Sequence, residues 1–421
     1  MNSRAGRVPA YDAPAIVVGL DCVTGLQTAR ILSDRGIPVI GLAADRSHFA
    51  CRTRAVRRVV RTPLAGPELI RTLQRLDRRL STAAVLVPCT DAAVATLSEH
   101  RAELPERYRL LLPAHEVVAE LMDKARFKAY AEAHRLAIPR TMTLRARADA
   151  ERAAAELTFP VALKPGLKST TWQAHTRAKV FELADAAALL RRYDECHTWT
   201  EELVVQEWVV GGEENLYSCN AYFDADARPL ATFVARKLRQ WPVDTGTSCL
   251  GEEVRNDEVL DETIRLFRGA GFHGLAYLEM KRDERTGRHY IIEPNVGRPT
   301  GRSAIAEAGG VELLLTAYCD VLGLPLPARR RQRYGNARWI YLRHDLQAAL
   351  AQWRAGRLSL RDWARSMRGR KVDAVWSSSD PLPFVLDVWQ TLRKVPLGGR
   401  SAKIRRLPTT IDDDGHREQA A

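Results

Sequence analysis

The residues from His289 to Arg298 constrain this chain more than any other stretch, because a β-like run leads directly into hard oxygen ligands. Its apolar part is followed by Glu293 and Asn295. A similar run, 274–281, contains Glu279 and is separated from the first by a polar turn, so the two runs predict a β-hairpin. Residues two apart in a strand point the same way, so the side chains of Glu279, Glu293 and Asn295 can converge on one face.

Two carboxylates and an amide oxygen form an incomplete ligand shell that suits Mg²⁺, or Mn²⁺ in its place. Mg²⁺ keeps several waters and takes its remaining ligands from nucleotide phosphates. Taken alone, the hairpin slightly favours a different interpretation over a metal site: its charged side chains form an ordinary solvent-exposed face. The rest of the chain decides between the two.

The composition predicts a globular protein of two or three domains packed around a cleft, since 421 residues exceed what one simple core requires. No apolar run approaches the ~20 residues of a membrane span. The first twelve residues carry no hydrophobic signal core. The seven cysteines are widely spaced, which indicates reduced thiols. These features predict a cytoplasmic protein.

The net charge of +13 is concentrated at one end of the chain. From residue 326 onward there are 20 Lys and Arg residues against 9 Asp and Glu residues, so the first 325 residues are nearly balanced. A nucleic-acid-binding protein would be suggested by charge alone, but the chain lacks recognisable DNA-reading elements and aromatic-rich RNA motifs. The positive charge therefore bears on the binding partners of the C-terminal part and not on those of the first 325 residues.

The N-terminal part predicts a βαβ unit and hence a parallel sheet, with strands at 15–19 and 37–42 and a helix at 25–32. The turn between Gly19 and Gly25 fits neither GxGxxG nor a P-loop. Farther on, Asp91 follows an apolar strand, where open sheets place ligand groups. A helix cap explains the same residue equally well.

Three later segments carry candidate ligand-binding groups. Lys164 ends an apolar strand before a polar loop, and it is either solvated or able to reach phosphate oxygens. The strand 203–209 stops at two glycines followed by Glu213, which fits adenine and ribose recognition or a simple strand-to-turn transition. The cations of 236–239 end a predicted hairpin and favour an anionic ligand.

Taken in order, these residues resemble the ATP-grasp superfamily, and within it the carboxylate-amine ligases that include D-alanine–D-alanine and D-aspartate ligases. The likeness covers Ala15 to Pro325, roughly three-quarters of the chain. Each motif is weak, and their sequential order behind a βαβ domain is the strong signal. The residues that carry it are Lys124, Lys164, Gln206, Glu207, Trp208, Val209, Glu213, Arg236, Glu279, Glu293, Asn295 and Arg298.

The resemblance implies an α/β protein in three parts. An N-terminal βαβ parallel-sheet domain, Rossmann-like and preceding the ATP-grasp domain, occupies 1–113. A two-lobed α+β ATP-grasp domain occupies 114–325, with lobes at about 114–200 and 201–325. A mostly helical, basic C-terminal extension follows at 326–421 and ends in a frayed tail.

The resemblance also implies roles for individual residues. Lys124 and Lys164 match the lysines that hold the nucleotide phosphates. The segment of Gln206, Glu207, Trp208 and Val209 matches the part that cradles adenine, with Glu213 at the ribose. Glu279, Glu293 and Asn295 match the Mg²⁺ ligands. Arg236 and Arg298 match arginines near the transferred phosphoryl group, and the Val296-Gly297 insertion makes Arg302 a competitor for the second role.

The implied activity is ATP-dependent amide formation through an acyl phosphate, with an amino acid as one substrate. An alternative is an ATP-binding module without turnover, which would need fewer of the metal and phosphate ligands. Small-molecule carboxylate and amine substrates, homo-oligomerisation and no nucleic acid are expected. The tryptophans and arginines of the extension either dock on an anionic membrane surface or polyanionic substrate, or cover the flank of the ATP-grasp domain. The second interpretation is favoured.

Overall fold

The structure is a computed structural model that describes residues 11–166, 170–176, 178, 180–243, 246–301, 303–369 and 371–394. Its first unit is a parallel five-stranded sheet of order β3-β2-β1-β4-β5. The elements of this unit are β1 (Ala15–Val18), α1 (Val23–Ser33), β2 (Val39–Ala43), β3 (Arg58–Arg61), α2 (Pro67–Asp77), β4 (Ala84–Pro88), α3 (Asp91–Glu99), β5 (Tyr108–Leu110) and α4 (His115–Met122).

This sheet is buried on both faces, which explains its nearly continuous apolar strands. Val17 and Val85 pack in one core cluster, whereas Ile16 and Leu86 pack in another on the opposite face. Gly25 allows α1 to approach β1, because a Cβ atom there would lie 2.1 Å from the Gly19 carbonyl oxygen. The predicted parallel sheet is confirmed.

The second unit is a small lobe around an antiparallel four-stranded sheet of order β6-β9-β7-β8. A separate apolar cluster, which includes Trp172, Leu189 and Val205, forms its core. The elements of this lobe are β6 (Thr141–Leu144), α6 (Arg147–Glu156), β7 (Val161–Pro165), α7 (Thr170–His175), β8 (Phe181–Leu183), α8 (Ala186–Cys196) and β9 (Leu203–Glu207). The preceding helix, α5 (Lys124–Ala133), packs instead through Phe127 and Tyr130 in the cluster that contains Ile16 and Leu86.

The third unit is built on a seven-stranded sheet of order β14-β13-β10-β11-β12-β15-β16. Its elements up to the predicted domain boundary are β10 (Leu216–Phe223), β11 (Pro229–Trp241), β12 (Thr247–Glu253), α9 (Asp257–Gly269), β13 (Gly274–Arg282), β14 (His289–Val296), α10 (Ala304–Ala308) and α11 (Leu313–Val321). The mixed α/β class that the sequence predicts is confirmed.

The segment after residue 326 completes this sheet rather than lying beside it. β15 pairs antiparallel with β12, and β16 pairs parallel with β15, so two strands accompany the predicted helices. Its elements are β15 (Arg338–Ile340), α12 (Leu342–Arg354), α13 (Leu360–Ser366), β16 (Lys371–Asp373) and α14 (Leu382–Lys394). The predicted frayed tail lies outside the described residues. No helix in the described ranges is long and apolar enough to span a bilayer.

Candidate active site

The β13–β14 hairpin places two carboxylates directly opposite each other. Glu279 pairs with Glu293, and Tyr277 pairs with Asn295, so all four side chains share one face of the sheet. The register shifts just after Glu279, where β14 contains one extra residue. This bulge allows Ile291 to enter the core although Glu293, only two residues later, faces the cleft.

The two carboxylates have different neighbours. The Tyr277 hydroxyl donates to Glu279 Oε2 at 3.2 Å, and Lys237 Nζ lies 3.6 Å from Glu279 Oε1. Asn295 Nδ2 donates to Glu293 Oε1 at 3.4 Å. Restricted solvation in the cleft and the negative charge of Glu279 raise the pKa of Glu293. A bound cation would relieve this repulsion, because it favours the ionised form of both carboxylates.

The donor set fits Mg²⁺, which prefers carboxylate and carbonyl oxygens and retains waters. The Asn295 amide oxygen accepts a hydrogen bond from Arg298 Nη2 at 2.6 Å and still has a second lone pair to offer. Among the residues that the structure describes, no group of three or more His, Cys, Asp or Glu side chains could hold a metal ion. The predicted set contains two carboxylates and one amide, so it falls below that number.

Two predicted phosphate-binding lysines lie near each other, one on α5 and one on the small lobe. Lys124 is the first residue of α5, where the Asp123 side chain caps the helix by accepting from two backbone amides. Lys164 lies on β7 and donates to Gln206 Oε1 at 3.1 Å. Burial and the nearby Lys124 charge lower the pKa of Lys164 to about 8, and Glu293 opposes this shift. Lys164 is therefore within electrostatic reach of both Lys124 and Glu293.

The end of β9 and the residues that follow it join the two lobes. Gln206 also donates through Nε2 to Thr141 Oγ1 at 2.9 Å, which fixes its amide beside Lys164. Glu207 instead accepts from the Thr158 amide at 2.8 Å and lies away from Lys164. Lys281 Nζ lies 5.5 Å from the Trp208 ring, within cation–π range. Val209 is buried. Adenine binding by this segment stays a prediction.

The predicted ribose carboxylate is held by the C-terminal segment. Glu213 is nearly buried, and its Oε2 accepts from the Gln240 amide at 3.1 Å and from Gln352 Nε2 at 3.2 Å. Gln352 belongs to α12. This contact could not be predicted from the sequence, because a lone glutamine 139 residues after Glu213 carries no signal of the contact.

Arg298 links the hairpin to the parallel sheet. Its Nε donates to Asp91 Oδ1 at 2.5 Å, in addition to the bond from Nη2 to Asn295. Thr90 is the N-cap of α3, so the Asp91 carboxylate is available to Arg298. Gly297 has a φ of +73°, and a Cβ atom there would lie 2.1 Å from a Leu112 methyl group. The insertion before Arg298 therefore lets the chain turn closely past Leu112.

The structure does not bring Arg236 to this cluster. Ala235 and Glu279 both pair with Ser218, so the side chain of Arg236 lies on the opposite face. There it forms an ion pair of 2.6 Å with Glu252. The next residue, Lys237, is the cation beside Glu279, and it is not among the site residues predicted from the sequence. Arg302, the competitor for Arg298, lies outside the described residues.

Comparisons with known proteins agree with this architecture. No protein-family model matches the chain. It is 25% identical over 254 residues to the D-aspartate ligase of Enterococcus faecium, which covers 56% of this chain and 59% of that protein. It is 26% identical over 187 residues to the D-alanine–D-alanine ligase of Ectopseudomonas mendocina, with 41% and 55% covered. The chain thus spans somewhat more than half of the length of these curated relatives.

Solved structures share the fold at low sequence identity. The N5-carboxyaminoimidazole synthetase of Staphylococcus aureus has a TM-score of 0.60 at 13% identity, with 76% of this chain and 79% of that chain covered. The phosphoribosylglycinamide synthetase of Anaerococcus prevotii has a TM-score of 0.56 at 14% identity, with 74% and 75% covered. The chain is therefore similar in sequence to D-aspartate and D-alanine–D-alanine ligases and has the fold of the ATP-grasp carboxylate-amine ligases, as its sequence predicts.

Proposed function

We propose that this chain is an ATP-dependent carboxylate-amine ligase that uses Mg²⁺ and joins two small molecules through an amide bond. The observation that carries the proposal is the convergence of two lysines and two opposed carboxylates from four separate elements. One substrate is an amino acid. Support for this comes from the similarity to D-aspartate and D-alanine–D-alanine ligases, whose names specify amino acids.

Each group has a distinct task in this proposal. Lys124 and Lys164 bind the phosphates of ATP, while Gln206–Val209 hold the adenine and Glu213 the ribose. Glu279, Glu293 and Asn295 would hold Mg²⁺, which neutralises charge on the phosphoryl group when bound. The predicted role of Arg236 near that group passes to Lys237, because Lys237 faces Glu279.

The reaction proceeds in two displacements. An oxygen of the substrate carboxylate attacks the γ-phosphorus of ATP, and the bond between that phosphorus and the bridging oxygen breaks. ADP departs, and the substrate has become an acyl phosphate. The amine nitrogen then attacks the acyl carbon, phosphate departs, and the nitrogen loses a proton. The protein supplies positioning and charge, so no covalent nucleophile is required. In this proposal Arg298 stabilises negative charge on the acyl group, which is supported by its fixed position between Asp91 and Asn295.

A screen for ADP release over pairs of amino acids and carboxylates tests the proposal. At least one pair should stimulate ADP release in the presence of Mg²⁺, and Glu293→Gln should abolish that stimulation. If the protein binds ATP tightly while no pair stimulates ADP release, it is instead a nucleotide-binding module without turnover. If it binds no ATP, the nucleotide site itself is assigned wrongly.

A further inference from the structure

The last helix of the described chain carries an apolar stripe that faces solvent. Leu382, Val385, Trp389 and Leu392 recur at helical spacing along one side of α14, and each is 46–63% exposed. Single exposed apolar residues are ordinary, but a contiguous stripe marks an interaction surface. Trp376, just before the helix, is also exposed.

The opposite side of α14 is anchored by polar contacts, so the direction of the stripe is fixed. Asp387 is buried and accepts from the Tyr341 hydroxyl and from Arg343 Nε at 3.1 Å. On the flank of the helix, between the stripe and Asp387, Gln390 Nε2 donates to the Ser47 carbonyl at 3.1 Å. Just before the helix, Asp380 forms an ion pair of 2.9 Å with Arg30. The apolar stripe therefore cannot be turned inward without breaking these contacts.

A basic cluster lies where α14 contacts the segment that follows β2. Arg46, Arg52 and Arg61 line an open cavity of about 660 Å³, and Ser47, the partner of Gln390, lines the same cavity. Within the described part of the chain, none of these three arginines forms an ion pair or donates a side-chain hydrogen bond. The one acid in the lining is Asp45, whose Oδ1 accepts from the Ser47 amide and hydroxyl.

We propose that the outer face of α14 and the arginine cluster Arg46, Arg52 and Arg61 together form a docking surface for an anionic lipid bilayer. Charge complementarity selects this partner, because unpaired arginines favour anionic headgroups and the neighbouring stripe favours the acyl boundary. The Arg393 guanidinium lies over the Trp389 ring, 3.7 Å from its centre, and tryptophan beside a cation suits the bilayer interface.

The geometry favours a helix that lies on the bilayer. The described part of α14 has 13 residues, fewer than the ~20 needed to span the hydrocarbon core. A nucleic acid would bind the arginines through its phosphates but would make no favourable contact with Leu382, Val385 and Leu392. The apolar stripe therefore favours a bilayer over a nucleic acid as the partner. None of the residues of the docking surface belongs to the candidate active site. Bilayer binding and the proposed ligase activity therefore succeed or fail independently.

Vesicle sedimentation of the full-length protein tests the docking surface. Vesicles of equal parts phosphatidylcholine and phosphatidylglycerol should bind the protein, whereas pure phosphatidylcholine vesicles should not. The triple variant Arg46→Gln, Arg52→Gln, Arg61→Gln should lose about a hundredfold in partitioning. The double variant Trp389→Ser, Leu392→Ser should lose roughly tenfold. Added salt should weaken wild-type binding.

Two control variants make the test specific. Leu346→Ser with Leu350→Ser removes leucines of α12 that are similarly exposed, and Arg331→Gln with Arg333→Gln removes exposed charges elsewhere. Both controls should bind the mixed vesicles like the wild type, and thermal unfolding should show that all variants fold. Equal binding to both vesicle types, or unchanged binding of both test variants, would overturn the proposal. Binding to single-stranded RNA but not to vesicles would also overturn it.

Discussion

Lys237 Nζ lies 3.6 Å from Glu279 Oε1, whereas the preceding residue, Arg236, forms its ion pair with Glu252 on the other face of the sheet. Neighbouring cations on one strand are thus divided between the cleft and the opposite face. The two residues offer a matched comparison, because replacing either one removes a single positive charge from adjacent positions of β11.

Replacing Lys237 with Met should reduce kcat/KM for ATP roughly tenfold to hundredfold, the usual effect of losing a hydrogen bond to a charged group. Arg236→Met should leave kcat/KM nearly unchanged and affect only stability. Steady-state kinetics of the two purified variants at saturating substrate pair decides the matter. If Arg236→Met is the more impaired enzyme, the assignment of the cleft face is wrong.

Glu293→Gln should weaken Mg²⁺ binding in the presence of nucleotide by about a hundredfold, since it removes one of two anionic ligands. The pKa of Glu293 is raised, so the carboxyl is partly protonated once the pH falls towards that pKa. At such a pH, Mg²⁺ binding should release protons, because Mg²⁺ needs the ionised carboxylate. Isothermal titration calorimetry in buffers of different ionisation enthalpy measures both effects. The exposed Asp226→Asn variant serves as a control and should behave like the wild type.

ATP affinity should fall as pH rises through about 8, because the free protein then loses the Lys164 proton. Bound phosphates raise the pKa of Lys164, so the complex retains a proton that the free protein has lost. Affinity is therefore full below pH 8 and declines above it, by up to tenfold per pH unit. In Lys164→Arg the decline should vanish, since guanidinium stays protonated. A wild-type affinity independent of pH would contradict this role for Lys164.

The hairpin and the parallel sheet could be predicted because apolar periodicity and polar turns are local properties of the sequence. The division of Arg236 and Lys237 could not, because two adjacent cations give no indication of which one faces the cleft. That choice depends on the pairing of β11 with β10, whose register places Ala235 on the face of Glu279. The bulge that turns Glu293 towards the cleft is likewise a property of the pairing and not of the strand.

The C-terminal segment shows the same limit. Its helices carry capping and amphipathic signals in the sequence: Ser359 and Asp362 stand at capping-box spacing, and Ser359 caps α13. Its strands are only three residues long, too short for periodicity to reveal them. Their place beside β12 is set by tertiary pairing. The contact between Gln352 and Glu213 follows from that placement.

Gln352→Leu should weaken ATP binding about fivefold, because it removes one of the donors that orient Glu213. The effect should be absent for 2′,3′-dideoxy-ATP, which lacks the hydroxyl groups that Glu213 is proposed to bind. Equilibrium binding of the two nucleotides to wild type and variant supplies the comparison. Equal losses for both nucleotides would mean that Gln352 acts on the structure of the site in general. Arg354→Gln, at the exposed end of α12, should change neither affinity.

The buried ion pair between Arg239 and Asp345 should make the C-terminal segment essential for folding. Asp345 is fully buried and accepts from Arg239 Nε at 2.7 Å and from Trp363 Nε1 at 3.1 Å. Asp345→Ala would leave the Arg239 guanidinium buried without its partner, at a cost of about 3–5 kcal/mol. The urea midpoint should therefore fall sharply, whereas Asp226→Ala, in an exposed ion pair with Arg228, should change it little.

A second variant distinguishes the cost of an unpaired buried charge from the cost of lost packing at the Arg239–Asp345 ion pair. Arg239→Met combined with Asp345→Leu removes both charges and should recover much of the stability lost in Asp345→Ala, because no unpaired charge remains buried. If the double variant is as unstable as Asp345→Ala, the hydrogen bond from Trp363 contributes more than the ion pair. If Asp345→Ala unfolds at the wild-type urea concentration, α12 is not anchored to β11 through this pair. Gln352 would then have no fixed position from which to orient Glu213.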